Sequence, residues 1–104
     1  MVRICVMYPN DEGGTFNHDY YRDTHMALVR QHLEPHGLIK TGIEKGLAGG
    51  PAGEKAPYMC IGSLYFESME KYSAAMGSVG TVLRDDIPNF TNVTPMRQIS
   101  EVVD

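Results

Sequence analysis

Residues 16–30 read FNHDYYRDTHMALVR and contain both the clearest helix signal and the densest group of reactive side chains in the chain. Asn17 is a favourable N-cap, and Asp19 lies in the first turn, where the helix dipole favours an acidic residue. Phe16 and Tyr21 occupy the two positions of a hydrophobic staple, which fixes how the chain enters a helix. The segment therefore predicts a helix that begins at Asn17.

The same helix is predicted to run to Glu34, because Pro35 and Gly37 supply a helix breaker and a C-terminal cap. At about 100° per residue, one face collects five side chains: Tyr20, Thr24, Ala27, Leu28 and Gln31. Along one edge of that face lie a tyrosine and two histidines: Tyr21, His25 and His32. The edge is the part of the helix that carries ionisable rings.

The remaining chain predicts four strands and a second helix. Alternation over Val2–Tyr8 and over Pro57–Phe66 is typical of strands with apolar side chains on both faces. Weaker strand signals cover Leu38–Leu47 and Asn92–Val103, and residues 46–57 are rich in Gly and Pro, as in an exposed loop. Ser68 can cap the second helix, which we expect to break at its two glycines, Gly77 and Gly80, before a short turn at residues 81–86.

The order β-α-β-β-α-β predicts an α+β, ferredoxin-like fold: a four-stranded antiparallel sheet with both helices on one face, formed by a single domain of residues 1–104. The other face would expose Cys5, Met7 and either Met59 or Ile61, more apolar area than a soluble monomer usually shows. Two-fold dimers are the commonest oligomers, so we expect a homodimer that covers this face.

Charge and composition exclude several function classes. Nine Lys and Arg stand against 13 Asp and Glu, a formal charge of −4, and the basic residues are scattered. Nucleic acids and acidic membranes both require clustered basic residues, so neither is an expected partner. No apolar run reaches the length of a signal peptide or membrane span, which predicts a cytoplasmic protein. Cys5 and Cys60 lack metal or redox spacing and are expected to be buried thiols.

Tyr21 and His25 are the side chains best suited to chemistry. Four residues apart, they lie on adjacent turns of one helix edge. An imidazole titrates near neutral pH and a phenol donates a hydrogen bond, so the pair is able to enolise a carbonyl compound or protonate an intermediate. A purely structural role for His25, at the edge of the core, stays open. His18, His25 and His32 are successively about 10 Å apart along the helix, too far to share a metal, so no metal or other cofactor is predicted.

The helix motif resembles the opening helix of the EthD family, in the dimeric α/β-barrel superfamily. That family's pattern is an aromatic residue, a Tyr-Tyr or Tyr-Trp pair, then His and a small apolar run, matched here by Phe16, Tyr20, Tyr21, Thr24, His25 and Met26. The Gly-rich middle loop and the strands also fit, so the resemblance covers nearly the whole chain. It implies a ferredoxin-like dimer around an apolar ligand cavity.

By the same analogy, His25 and Tyr21 would be the catalytic pair, and the ligand-binding candidates near the cavity would be Arg3, Tyr65 and Arg97. Superfamily relatives include lactone isomerases, polyketide cyclases, quinone-forming monooxygenases and haem-handling enzymes, and a shared fold does not select among their reactions. Two functions are therefore expected: a cofactor-independent isomerase, lyase or oxygenase of small-molecule catabolism or secondary metabolism, or a non-catalytic accessory protein that holds a small apolar ligand for an oxidoreductase system.

Overall fold

The computed structural model describes residues 1–104. Its four strands are β1 (Val2–Pro9), β2 (Lys40–Lys45), β3 (Tyr58–Phe66) and β4 (Met96–Glu101). They form one antiparallel sheet in the order β2-β3-β1-β4. The two strands with the strongest alternation, β1 and β3, occupy the centre, where both faces need apolar side chains. This is the α+β, ferredoxin-like arrangement that the element order predicted.

The first helix, α1, is continuous but changes its winding. It consists of an α-helical turn (His18–Tyr20), a π-helical turn (Tyr21–His25) and an α-helix (Met26–Leu33). The Asn17 side chain accepts a hydrogen bond from the backbone N–H of Tyr20, so the predicted cap is present. A 3₁₀ turn (Glu34–His36) follows, and Gly37 ends the helix with φ of 105°, the left-handed conformation that glycine adopts without strain.

The second helix, α2 (Met69–Asp85), begins after Ser68 as predicted, but the predicted break at Gly77 and Gly80 is wrong. Each glycine costs a helix about 1 kcal/mol relative to alanine. The helix stays intact because side chains at helical spacing on both sides of the glycines pack on the core: Tyr72, Ala75, Met76, Val79 and Leu83. A 3₁₀ turn (Ile87–Asn89) then leads towards β4, which begins at Met96 rather than at Asn92.

Both helices cover the same face of the sheet. From β1 that face presents Ile4, Val6 and Tyr8, all buried. From α1 the buried side chains are Tyr21, His25, Met26, Val29 and Leu33. The predicted helix face is therefore displaced: Thr24, Ala27 and Gln31 are exposed. The π-helical turn, with its i→i+5 hydrogen bonds, changes the angular position of every later residue, which a uniform 100° per residue does not describe.

The opposite face of the sheet carries no helix. It presents Arg3, Cys5 and Met7 from β1, all half-buried, beside Ser63, Ile61 and other β3 side chains. Cys60 lies on the helix-covered face and is fully buried, and burial raises the pKa of its thiol to about 12. No helix is both long enough and apolar enough to cross a membrane.

Candidate functional site

The π-helical turn of α1 places the two predicted reactive rings against each other. The backbone N–H of Met26 donates to the carbonyl of Tyr21, five residues earlier, which widens the helix at this point. The rings of Tyr21 and His25 stack with centroids 5.3 Å apart and an interplanar angle of 16°. Single π-helical turns are rare and occur frequently at functional sites. The turn thus directs both rings inward, towards the sheet.

His25 is held by a carboxylate from the end of α2. The side chain is only 6% exposed, and its Nδ1 lies 2.8 Å from Oδ2 of Asp86. Oδ1 of the same carboxylate accepts hydrogen bonds from the Tyr20 hydroxyl at 2.7 Å and from Asn89 Nδ2 at 2.9 Å. With three partners the carboxylate is fixed in position, and it fixes the imidazole in turn.

The charge states follow from these contacts. Burial acts to raise the pKa of Asp86, but its hydrogen bonds with Asn89, His25 and Tyr20 outweigh burial and leave the pKa below its usual range. Burial lowers the pKa of His25, and the contact with Asp86 only partly opposes this. At neutral pH the pair is therefore a carboxylate and a neutral imidazole. A carboxylate only accepts, so Nδ1 of His25 carries the proton and Nε2 is free to accept one.

Two tyrosines supply further polar groups to an otherwise aromatic wall. The ring of Tyr8, from β1, meets that of Tyr21 edge-on at 5.5 Å, and both contact Phe90. Burial raises the pKa of Tyr8 to about 12 and raises that of Tyr21 still further. Both phenols therefore stay protonated at any physiological pH and are able to donate hydrogen bonds.

A small cavity of about 40 Å³ lies between the sheet and the helices, with room for roughly three water molecules. Its wall is mostly apolar, from Ile4, Val6, Met26, Leu64 and Met76, and its polar groups come from Tyr8, Tyr21, His25 and Arg97. A wider surface groove of about 480 Å³ adjoins it, and the cavity and the groove share two lining residues, Ile87 and Arg97. The cavity and the groove are thus adjacent, with Ile87 and Arg97 at the boundary that they share.

The five predicted site residues separate into two groups. Tyr21, His25 and Arg97 line the cavity together. Arg3 and Tyr65 face each other across β1 and β3 on the opposite side of the sheet. There the Arg3 guanidinium donates to Ser63 Oγ at 3.0 Å and lies 3.4 Å from the Glu44 carboxylate. The ammonium of Lys40 lies 4.7 Å from the centre of the Tyr65 ring. Arg3 and Tyr65 are therefore separated from His25 by the sheet.

Sequence reasoning missed Asp86 and Tyr8. The sequence predicts Asp86 only as the last residue of a short turn at residues 81–86, because it lies 61 residues beyond His25 and only the packing of α2 against α1 joins them. Tyr8 was placed on a strand face without a role. The only signal for Tyr8 in the sequence was its position as the last residue of the apolar face of the first strand. Among all 104 residues no group of three or more His, Cys, Asp or Glu side chains is arranged to hold a metal ion.

The fold and the site define a ferredoxin-like α+β protein with an imidazole–carboxylate pair at an apolar cavity. The model of the EthD domain matches residues 15–94, which is more than half of the chain. A similar crystal structure, of an EthD-like protein from Ralstonia eutropha JMP134, is 38% identical in sequence, with a TM-score of 0.93 over 99% of this chain and 92% of that one. The chain therefore belongs to the EthD family.

More distant structures share the fold. An ethyl tert-butyl ether d (EthD) family protein from Bacillus halodurans C-125 is 22% identical, covers 99% of both chains and has a TM-score of 0.75. A dimeric ferredoxin-like protein from an uncultured marine organism is 12% identical, with a TM-score of 0.56 over 100% of this chain and 96% of that one. No curated protein matches the chain. Family and fold are thus established, and the chemistry has to be argued from the site.

Proposed function

We propose that this protein moves a proton on a small organic carbonyl compound, with His25 as the acid/base, in small-molecule catabolism or secondary metabolism. The observation that carries the proposal is the 2.8 Å contact between His25 Nδ1 and Asp86, at the wall of an otherwise apolar cavity. Such a pair is needed when an imidazole must accept a proton through its other nitrogen and hold the resulting charge. The reaction classes that fit are cofactor-independent isomerisation, elimination and oxygenation through an enolate.

The chemistry follows from the charge states. Nε2 of neutral His25 takes a proton from the carbon beside the carbonyl, and the electron pair of the broken C–H bond moves to the carbonyl oxygen as an enolate. Asp86 stabilises the imidazolium through Nδ1–H, and the same proton returns from Nε2 to a different atom of the substrate. The phenol of Tyr21 lines the same cavity and stays protonated because its pKa is raised, so it would donate a hydrogen bond to the enolate oxygen.

A second function is supported by the shape of the site. The enclosed cavity holds only a few atoms, whereas the adjoining groove is about ten times larger and open to solvent. A groove of this kind suits a non-catalytic accessory protein, which binds a metabolite and passes it to an oxidoreductase. In that case His25 and Tyr21 contribute to binding and to core packing without turnover.

The assembly proposed for either function is a homodimer. The helix-free face of the sheet carries neighbouring apolar side chains on three strands: Met7 pairs with Ile61 on one side and with Met96 on the other. The dimeric ferredoxin-like protein is a structural relative. On this proposal Arg3 and Tyr65 lie at the dimer interface, where a partner would cover them, and not at the His25 cavity.

The test is proton exchange at carbon. Purified protein is incubated in D₂O with small lactones, keto acids and diketones, and loss of the α-proton signal is followed by NMR. We expect the wild type to accelerate exchange for at least one class and His25→Gln to lower the rate by roughly 10²–10⁴-fold, the usual contribution of a general base. Asp86→Asn is expected to lower it less, since the imidazole remains but loses its partner.

His36→Gln is the matched control, because His36 is exposed and lies outside the cavity. Circular dichroism and thermal unfolding establish that each variant is folded. A folded His25→Gln protein that retains full exchange activity contradicts the catalytic proposal. Ligand binding with no exchange in the wild type favours the accessory function instead.

A further inference from the structure

The groove outside the His25 cavity is basic, although the protein is acidic. It is lined by Arg84, Ile87, Pro88, residues 91–95 and Arg97, and none of these is Asp or Glu. The whole chain has nine Lys and Arg against 13 Asp and Glu, so a groove with two arginines and no acid departs from the average surface. The local potential there favours an anion.

Neither arginine is neutralised by the protein. Arg97 takes part in none of the ion pairs or side-chain hydrogen bonds of the chain. Arg84 has one acidic neighbour, Asp85, at 4.0 Å, and both side chains are about 70% exposed. Exposed pairs at that distance contribute little. Two guanidinium groups are therefore available to an external partner.

Arg97 also belongs to the inner cavity. It lies on β4 opposite Val6, on the helix-covered face of the sheet, and it lines the cavity together with His25 and Tyr21. Burial is the largest influence on the pKa of Tyr8 and of Tyr21 and raises both, and the positive charge of Arg97 acts against it. The guanidinium is thus within electrostatic reach of the phenols as well as at the boundary between cavity and groove.

We infer that the substrate is a small organic acid, whose carboxylate binds Arg97 and Arg84 in the groove while its reacting carbon enters the cavity. This rests on the proposed function and names its substrate class. A planar guanidinium binds a carboxylate through two parallel hydrogen bonds, which fixes orientation as well as position. Since the cavity holds only a few atoms, a carboxylate anchored in the groove leaves the carbon beside the substrate's carbonyl group to enter the cavity and face His25.

The test uses probe pairs that differ only in charge: phenylacetate with phenylacetamide, and hexanoate with hexanamide. Their affinities are measured by isothermal titration calorimetry at low ionic strength, with the wild type, Arg97→Gln, Arg84→Gln and Arg97→Lys. We expect acids to bind more tightly than amides, and Arg97→Gln to weaken acid binding by roughly tenfold or more without changing amide binding. Arg97→Lys should restore part of the loss, because it retains the charge but not the two-point geometry.

Arg30→Gln is the control: Arg30 is an exposed arginine on α1 that reaches only Thr41, outside the groove. Three results overturn the inference: equal affinities for acid and amide, acid binding that Arg97→Gln leaves unchanged, or no acid binding at millimolar concentrations. The outcome is independent of catalysis, because His25→Gln should keep the acid preference while losing proton exchange. Binding of acids without proton exchange would refute only the catalytic proposal. Proton exchange that is restricted to neutral compounds would refute only the proposed substrate class.

Discussion

At the residue scale, the neighbours of His25 decide which of its nitrogens does chemistry. Asp86 accepts a hydrogen bond from Nδ1–H of His25 and is itself fixed by Tyr20 and Asn89, so the imidazole can neither rotate nor exchange its tautomer without breaking hydrogen bonds. Burial then keeps the ring neutral in the resting protein. The combination gives a base that is available at neutral pH and becomes charged only when a substrate supplies the proton.

The sequence predicted part of this arrangement. The four-residue spacing of Tyr21 and His25 on a helix was enough to bring the two rings together. The contact between Asp86 and His25 could not be predicted from the sequence, because it depends on where α2 ends and how α2 packs on α1. The prediction that Arg97 lies near His25 rested on the family resemblance alone. The residues of the two elements share a cavity only in the folded sheet, which the local sequence of β4 or α1 does not reveal.

Stability should fall on acidification through His25. Its pKa in the folded protein lies below the value near 6.5 of an unfolded chain, so the unfolded state binds more protons below that pH. The contribution of His25 to the free energy of unfolding should therefore be constant above about pH 7 and decrease as the pH falls below its ordinary pKa near 6.5. Urea unfolding followed by circular dichroism across this range measures the slope.

His25→Gln should reduce that slope, although it also weakens the protein at neutral pH. Burial lowers the pKa of His18 as well, so a smaller slope remains in the variant. His36→Gln, which replaces a histidine at an exposed position, is the control variant. Equal slopes in wild type and His25→Gln would show that His25 takes up its proton as easily in the folded state as in the unfolded one.

At the element scale, periodicity predicted every strand and both helices, and it failed where packing overrules local preference. Gly77 and Gly80 weaken α2 intrinsically, but the apolar side chains around them are held by the core. Asn92 was expected in the last strand and instead closes a loop, its side chain bonded to Thr15 N–H and Gly13 carbonyl. The π-helical turn in α1 has no signature in the sequence, so a uniform 100° per residue did not identify which side chains of α1 are buried.

The Tyr21 side chain leaves no room for a Cβ on the strand below it. A Cβ at Gly62, in the middle of β3, would overlap the Tyr21 hydroxyl and lie 3.1 Å from its ring carbon Cζ and 3.4 Å from Met26 Cε. Four aromatic rings pack against Tyr21 and limit how far it can move into the adjoining cavity. We expect Gly62→Ala to lower the free energy of unfolding by about 1–3 kcal/mol, as overpacked cores do, measured by urea titration.

Gly42→Ala is a matched control in the adjacent strand. A Cβ there meets only the Ser63 Cβ at 3.7 Å, an ordinary contact, so the change should stay within about 1 kcal/mol. Adding Tyr21→Phe to Gly62→Ala should recover part of the lost stability, because it removes the overlapping oxygen. A double variant no more stable than the sum of the single changes would locate the strain elsewhere than at this contact.

At the scale of the whole molecule, the two faces of the sheet differ in what covers them and in which side chains they carry. The helix-covered face contains the core, the cavity and the His25–Asp86 pair. The free face has Met7, Ile61 and Met96 side by side on three strands, next to a polar part where Arg3 bonds Ser63. This apolar row lies at one end of the free face, and a two-fold pairing that covers it would bury the same row on both copies.

Met7→Glu tests that assembly, because two-fold symmetry would bury two carboxylates in one interface. Burying each without a partner costs several kcal/mol, so the dimer should dissociate with a constant raised by roughly a hundredfold or more. Light scattering behind gel filtration at micromolar concentration should show a dimer for wild type and a monomer for the variant. Met69→Glu is the control: Met69 is 51% exposed in the first turn of α2, where an acidic residue suits the helix dipole. A monomeric wild type, or a variant that remains dimeric, would mean that the free face is not the interface, and Arg3 and Tyr65 would then need another role.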